Sequence, residues 1–401
     1  MSEFRAKKNV AVLAVCQALF NSGGVIAIAL GGLVGFNLAG DKTLATLPVT
    51  MVVGGTALAT IPASLLMGKI GRRLGFMLGA GIGTVGGAVA ALGIFLGDFA
   101  IFCLGSFLLG TYSGFAHYYR FAAADIASAA FKPKAISLVL AGGVAAGYLG
   151  PEIAKYTKDV IPLYAFAGTY MAAAVLGALS VLLLSFVDVP LPTAAEAAAG
   201  RRPLSVIARQ PVFMIAALSG MVGYGFMNLL MTATPLAMTQ HYHFHFNLAA
   251  TVIQWHVIAM FAPSFFTGAL IARFGVLNII LAGVAINLVC VAVALAGVEY
   301  ENFWLSLTLL GLGWNFMYVG GSTLLTECYH PAERAKTQAA NDFLVFFTVA
   351  VSSLSSGALL HRGGWDTILV LALPWLGLAA IATLVLVIAR RRVSPATPSA
   401  S

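Results

Sequence analysis

ATIPASLLMGKIGRRLG, residues 59–75, has a weaker second copy in MFAPSFFTGALIARFG, residues 260–275. At an offset of 201 residues Pro62 falls on Pro263 and Arg72 on Arg273. At the same offset Leu109, Gly110 and Phe115 fall on Leu310, Gly311 and Phe316. Each copy runs from an apolar, proline-marked stretch into a short turn of glycine and arginine. The chain therefore reads as two versions of one unit.

Composition says where that unit lives. Sixty per cent of the 401 residues are hydrophobic and only 9% are charged, against about a quarter charged in an average soluble sequence. Mean hydropathy is +0.95. Apolar stretches of about 20 residues recur along the chain, each sufficient to cross a ~30 Å hydrocarbon core as a helix. They lack the alternation of barrel strands. The prediction is an all-α polytopic membrane protein with twelve spans at about 9–36, 45–66, 75–95, 99–124, 136–156, 163–187, 212–238, 248–271, 276–298, 303–327, 338–360 and 366–389.

The net charge of +8 would suit a polyanionic partner, but its distribution gives another reading. Seventeen of the 22 Lys and Arg residues fall on the side that holds both termini, in clusters such as Lys69, Arg72 and Arg73. Lys42, Lys155, Lys158 and Arg362 fall on the other. The positive-inside rule then places both termini in the cytoplasm, in a bacterial inner membrane. No nucleic-acid partner is needed. Cys16, Cys103, Cys290 and Cys328 share no metal-ligand spacing and read as buried apolar residues. The basic N-terminus and the apolar run after it are too long for a signal peptide, so they read as a retained first helix.

The repeat sets the domain plan: a six-helix bundle over 1–188, a cytoplasmic linker over 189–211, a second bundle over 212–392 and a tail over 393–401. Two six-helix units in parallel repeat are the arrangement of the major facilitator fold. The loop MGKIGRRLG, residues 67–75, resembles the major facilitator superfamily motif G-x-x-x-D-R-x-G-R-R through Gly71, Arg72 and Arg73. The motif's acid is replaced by Gly68, and the second copy is reduced to Arg273. GYLGP, residues 147–151, is similar to the Gly-Pro signature of antiporters, with the glycine spacing one residue short. The prolines and small residues after Pro62 and Pro263 resemble those of sugar-efflux-permease-like members.

That resemblance implies a cavity lined by spans 1, 4, 7 and 10. On span 4, Ser113, His117, Arg120 and Ala124 follow a 4-3-4 spacing and so share a helical face. Arg120 is the sharpest signal, because a fixed cation at membrane depth is costly and usually faces a bundle interior. A guanidinium suits a carboxylate or phosphate, though Arg120 also fits structural pairing or snorkelling. The repeat puts Trp314 and Tyr318 at the matching level of span 10. Asn21 on span 1, Asn228 on span 7 and His256 on span 8 are further substrate contacts, each with an interhelical or core alternative. For proton coupling or gating the candidates are Glu152, Asp342 and His117, the last because an imidazole titrates near neutrality. Asp125 is a poor partner for Arg120 on one helix, and Glu327 and Glu333 read as loop residues beside Arg334. His241, His243 and His245 alternate in a loop and read as a wet loop rather than a metal site.

The expected function is secondary transport of a small organic solute by alternating access, proton-coupled, in a monomer without cofactor or metal. Export is favoured by the efflux-permease likeness. Uptake of an organic anion or vitamin-like heterocycle is the alternative, and a non-transporting receptor or lipid scramblase the reading of another class. No water-exposed nucleophile with an acid/base partner supports an enzyme.

Overall fold

The computed structural model describes residues 3–41, 44, 47–189 and 202–393. Most of the expected linker (190–201) and the tail from 394 lie outside the described residues. The described chain is helical throughout, in α1 (Glu3–Leu38), α2 (Leu47–Ile70), α3 (Arg72–Leu96), α4 (Phe99–Ala116), α5 (Tyr119–Ile126), α6 (Lys132–Thr157) and α7 (Ala167–Leu184). A short α8 (Leu204–Ala208) precedes α9 (Pro211–Leu236), α10 (Phe246–Phe261), α11 (Ser264–Phe274), α12 (Val276–Leu295), α13 (Tyr300–Leu325) and α14 (Arg334–Val393). The last is two helices run together, broken at Gly364, where φ is 75°.

Among the described residues nine helices are long and apolar enough to cross a membrane, or ten if the bent pair Asn247–Phe261 and Ser264–Phe274 is one span. The other two expected spans, 303–327 and 338–360, fall on α13 and the first part of α14. Asn315 and Tyr318 dilute the hydropathy of α13, whereas in α14 a mainly apolar run, 343–360, follows Asn341 and Asp342. Those residues are buried in the protein rather than turned to lipid.

The chain divides into two compact units. The first is Met1–Arg201 with two later segments, Ser264–Gly268 and His330–Phe347; the second is Arg202–Pro263, Ala269–Tyr329 and Thr348–Ser401. In the first unit α2 and α4 approach through Gly110, whose missing side chain leaves room for the Val52 carbonyl. The Thr56 hydroxyl completes the contact by donating to the Gly110 carbonyl at 3.1 Å. Small residues let helix backbones approach in this way. Gly110→Ala is expected to force α2 and α4 apart at a cost of about 1–3 kcal/mol, read as a lower unfolding temperature of the detergent-purified protein. The incoming Ser264–Gly268 segment is pinned by Ser137, whose hydroxyl donates to the Ser264 carbonyl and accepts from the Gly268 amide.

In the second unit α13 is the central element. Asn315 donates to the Met260 carbonyl on α10 at 2.7 Å, and Ser219 on α9 donates to the Met317 carbonyl at 2.9 Å. Asn287 of α12 packs where Gly313 has no side chain.

The two copies of the basic turn differ by three residues in the backbone. The first turns at Gly71 (φ 90°), so Arg72 opens α3; the second turns at Gly275 (φ 84°), so Arg273 lies in the last turn of α11. A positive φ favours glycine, which carries no Cβ penalty. The turn therefore follows the glycine rather than the arginine alignment.

Candidate functional site

Arg120 is 1% exposed and Asp342 is fully buried. They form an ion pair inside the first unit, Arg120 Nη2 to Asp342 Oδ1 at 2.6 Å. The guanidinium also donates to the His117 carbonyl at 2.5 Å and lies 4.3 Å over the Phe121 ring. Asp342 Oδ1 accepts a second hydrogen bond, from Asn341 at 2.9 Å. Its Oδ2 is buried without a hydrogen-bond partner among the described residues.

The expected continuous face on span 4 is interrupted. α4 ends at Ala116, His117 and Tyr118 form a turn, and α5 begins at Tyr119. Arg120 reaches the carbonyl at this break, so the break and the cation belong together. The His117 ring packs 4.3 Å from Phe346 and edge-on to Phe20 at 5.7 Å. Ser113, one turn earlier, donates to the Leu109 carbonyl at 3.4 Å. It lines a small cavity with Phe20, Tyr112 and the glycines Gly23, Gly24 and Gly83. At about 20 Å³ that cavity has room for roughly one water. Asn21 Oδ1 accepts from Gln17 at 3.1 Å, and its amide nitrogen is buried without a partner among the described residues.

A second polar group sits in the same unit. Arg72, 3% exposed, donates to Asp125 Oδ2 at 3.1 Å and to Gln338 Oε1 at 2.5 Å. Arg334 approaches the same Asp125 oxygen at 3.3 Å. Asp125 thus bridges two guanidiniums from different helices. Ser64 adds a hydrogen bond to the Ala335 carbonyl at 2.8 Å. Gly71 is buried, whereas Arg73 is exposed, and Arg273 in the second unit is exposed over the Phe274 ring. Sequence reasoning named Arg72 and Asp342 but not Gln338 or Asn341. Both are amides at the start of an apolar helix, and that was the only available signal.

In the second unit Trp314 and Tyr318 stack at 5.0 Å, with the Tyr224 ring edge-on to both at 5.4 and 5.2 Å. Phe261 closes the Trp314 side at 5.6 Å. Phe261 was not among the expected site residues. Asn228 bridges to α14, donating to the Val349 carbonyl and to Ser352 Oγ at 3.1 Å. His256 is fully buried, its Nδ1 2.7 Å from the Leu307 carbonyl. Glu152 is half-buried on α6 beside Pro151, and Glu327 pairs with Arg390 at 2.7 Å. Glu333 is buried and caps the turn at His330. His241, His243 and His245 are exposed. The four cysteines are buried and form no disulfide among the described residues.

Apolar helices of spanning length that bury arginine, carboxylate and amide groups inside the protein define a multi-pass membrane protein with a polar interior. The comparisons agree. The profile of the Major Facilitator Superfamily matches residues 216–401. The chain is 44% identical over 380 residues to the riboflavin transporter RfnT of Brucella anthropi, covering 94% of this chain and 95% of that protein. It is 26% identical over 380 residues to YddS, an uncharacterised MFS-type transporter of Bacillus subtilis, covering 90% and 86%. Among solved structures, the E. coli fucose:proton symporter FucP aligns with a TM-score of 0.74 at 16% identity, over 94% of this chain and 97% of its own. The human organic anion transporter MFSD10 aligns with a TM-score of 0.74 at 15% identity, over 96% and 100%. The chain belongs to the major facilitator superfamily. It is a transporter of small organic solutes, not an enzyme.

Proposed function

We propose that this protein carries riboflavin, or a closely related planar heteroaromatic vitamin, across the bacterial inner membrane by proton-coupled alternating access. The observation that carries the proposal is the 44% identity to a riboflavin transporter along 95% of that relative's length. The chemistry of the candidate residues supports it. Within the second unit Trp314, Tyr318 and Tyr224 offer aromatic faces to a flavin's ring system, and Asn228 offers a polar contact. A vitamin cargo favours uptake, the second of the two directions open from sequence, because a cell gains by concentrating a scarce nutrient.

The first-unit polar cluster supplies a candidate gate. Segment His330–Phe347 would leave its partners during the cycle, opening Arg120–Asp342 and Arg72–Gln338 and closing them again. Asp342, with one oxygen unpartnered, is the proposed proton carrier, and Glu152 is the second candidate. The excess of Lys and Arg on one side supports an orientation with both termini in the cytoplasm, and the proposed working unit is a monomer.

Proteoliposomes test this directly. With an imposed inward proton gradient, labelled riboflavin is expected to accumulate above its equilibrium level, and a protonophore is expected to abolish the excess. Equilibration without accumulation would remove proton coupling. No riboflavin flux above protein-free vesicles would remove the flavin reading.

A further inference from the structure

The indole of Trp314 is 2% exposed and held by three rings, yet its N–H has no hydrogen-bond partner among the described residues. Its neighbours are satisfied. Asn315 donates to Met260, and the Met317 carbonyl accepts from Ser219. An indole nitrogen can only donate, and a buried donor left unpaired is expensive in a low-dielectric interior. Phenylalanine would fill an aromatic cluster without that cost. A tryptophan here points to an acceptor that arrives with a ligand.

The ring geometry narrows the ligand. Trp314 and Tyr318 are nearly parallel, at 19°, whereas Tyr224 and Phe261 meet the indole at 75° and 78°. The edge-on rings fix the plane of the indole, and so the direction of its N–H. A fixed, buried donor within an aromatic cluster suits a flat ring system bearing a carbonyl or imine nitrogen on its edge.

We infer that Trp314 sets substrate specificity, its indole N–H donating to an edge acceptor of a planar heteroaromatic substrate while Tyr224, Tyr318 and Phe261 hold the indole in place. This rests on the transport reading above. It adds a role, hydrogen-bond donation, that stacking alone would not require. A site built to hydrogen-bond its ligand discriminates more sharply than an apolar slot, because a mismatched ligand leaves the buried donor unpaired.

Titration of the full-length protein in nanodiscs with riboflavin and with lumichrome, followed by flavin fluorescence, tests the assignment. Wild type is expected to bind and quench at least one of them. Trp314→Phe is expected to keep quenching at saturation but to weaken affinity about tenfold, the scale of one lost hydrogen bond. Replacing Trp314 by benzothienylalanine, which keeps the bicyclic shape and exchanges N–H for sulfur, should give the same loss. It also supplies the answer if the phenylalanine variant does not fold. Wild-type affinity in either folded variant would overturn the inference and leave the transport reading standing. Failure of the wild type to bind either ligand would overturn both.

Discussion

Arg120→Ala is expected to unfold the protein at a markedly lower temperature and to abolish transport, while Arg120→Ala/Asp342→Ala recovers much of the stability and none of the transport. An arginine serving only as an exposed anion site could be removed without harm to folding. Here its removal leaves Asp342 fully buried without its counter-charge and bonded only to Asn341 among the described partners. Breaking a buried pair from one side costs on the order of 3–5 kcal/mol, whereas removing both charges is often close to neutral. Thermal unfolding of the two single variants and the double variant forms the cycle that checks this. Additive losses would mean that the 2.6 Å pair contributes nothing as a pair.

Asp125→Ala should slow transport at least tenfold while changing substrate affinity by no more than about twofold. Asp125 lies between Arg72 at 3.1 Å and Arg334 at 3.3 Å, so its loss leaves two mostly buried guanidiniums repelling each other. Gly68 occupies the place of the superfamily motif's acid. A side chain there would have little room, since its Cβ would lie 3.1 Å from that of Ala335. Asp125 is then the anion available to close this end of the unit. Initial rates in proteoliposomes, beside equilibrium binding of the same preparation, separate the two effects. Equal losses of rate and affinity would make Asp125 part of the substrate site instead.

Much of this architecture was legible in the sequence because lipid imposes simple rules. Apolar runs of spanning length predicted the helices. Arg120 stood out because a cation in such a run demands a reason. What stayed hidden depends on packing. The break at His117 and Tyr118 has no glycine or proline to announce it. Hydropathy undervalues α13 because Trp314, Asn315 and Tyr318 face protein, which a linear average cannot register. Asp125 was dismissed as a partner for Arg120, and its actual partners lie 53 positions upstream and on α14. Alignment of the repeats placed Arg72 and Arg273 together, yet the turn follows glycine and separates them onto different kinds of helix position.

The Arg120–Asp342 pair also has a consequence for biogenesis. Its members are 222 residues apart, so the cation enters the membrane long before its counter-ion exists. At about 5–20 residues per second of synthesis the wait is roughly 10–45 s. During that interval Arg120 must be held by water, by lipid headgroups or by the insertion machinery. Span 4 therefore cannot settle into its final environment until the second half of the chain has been made.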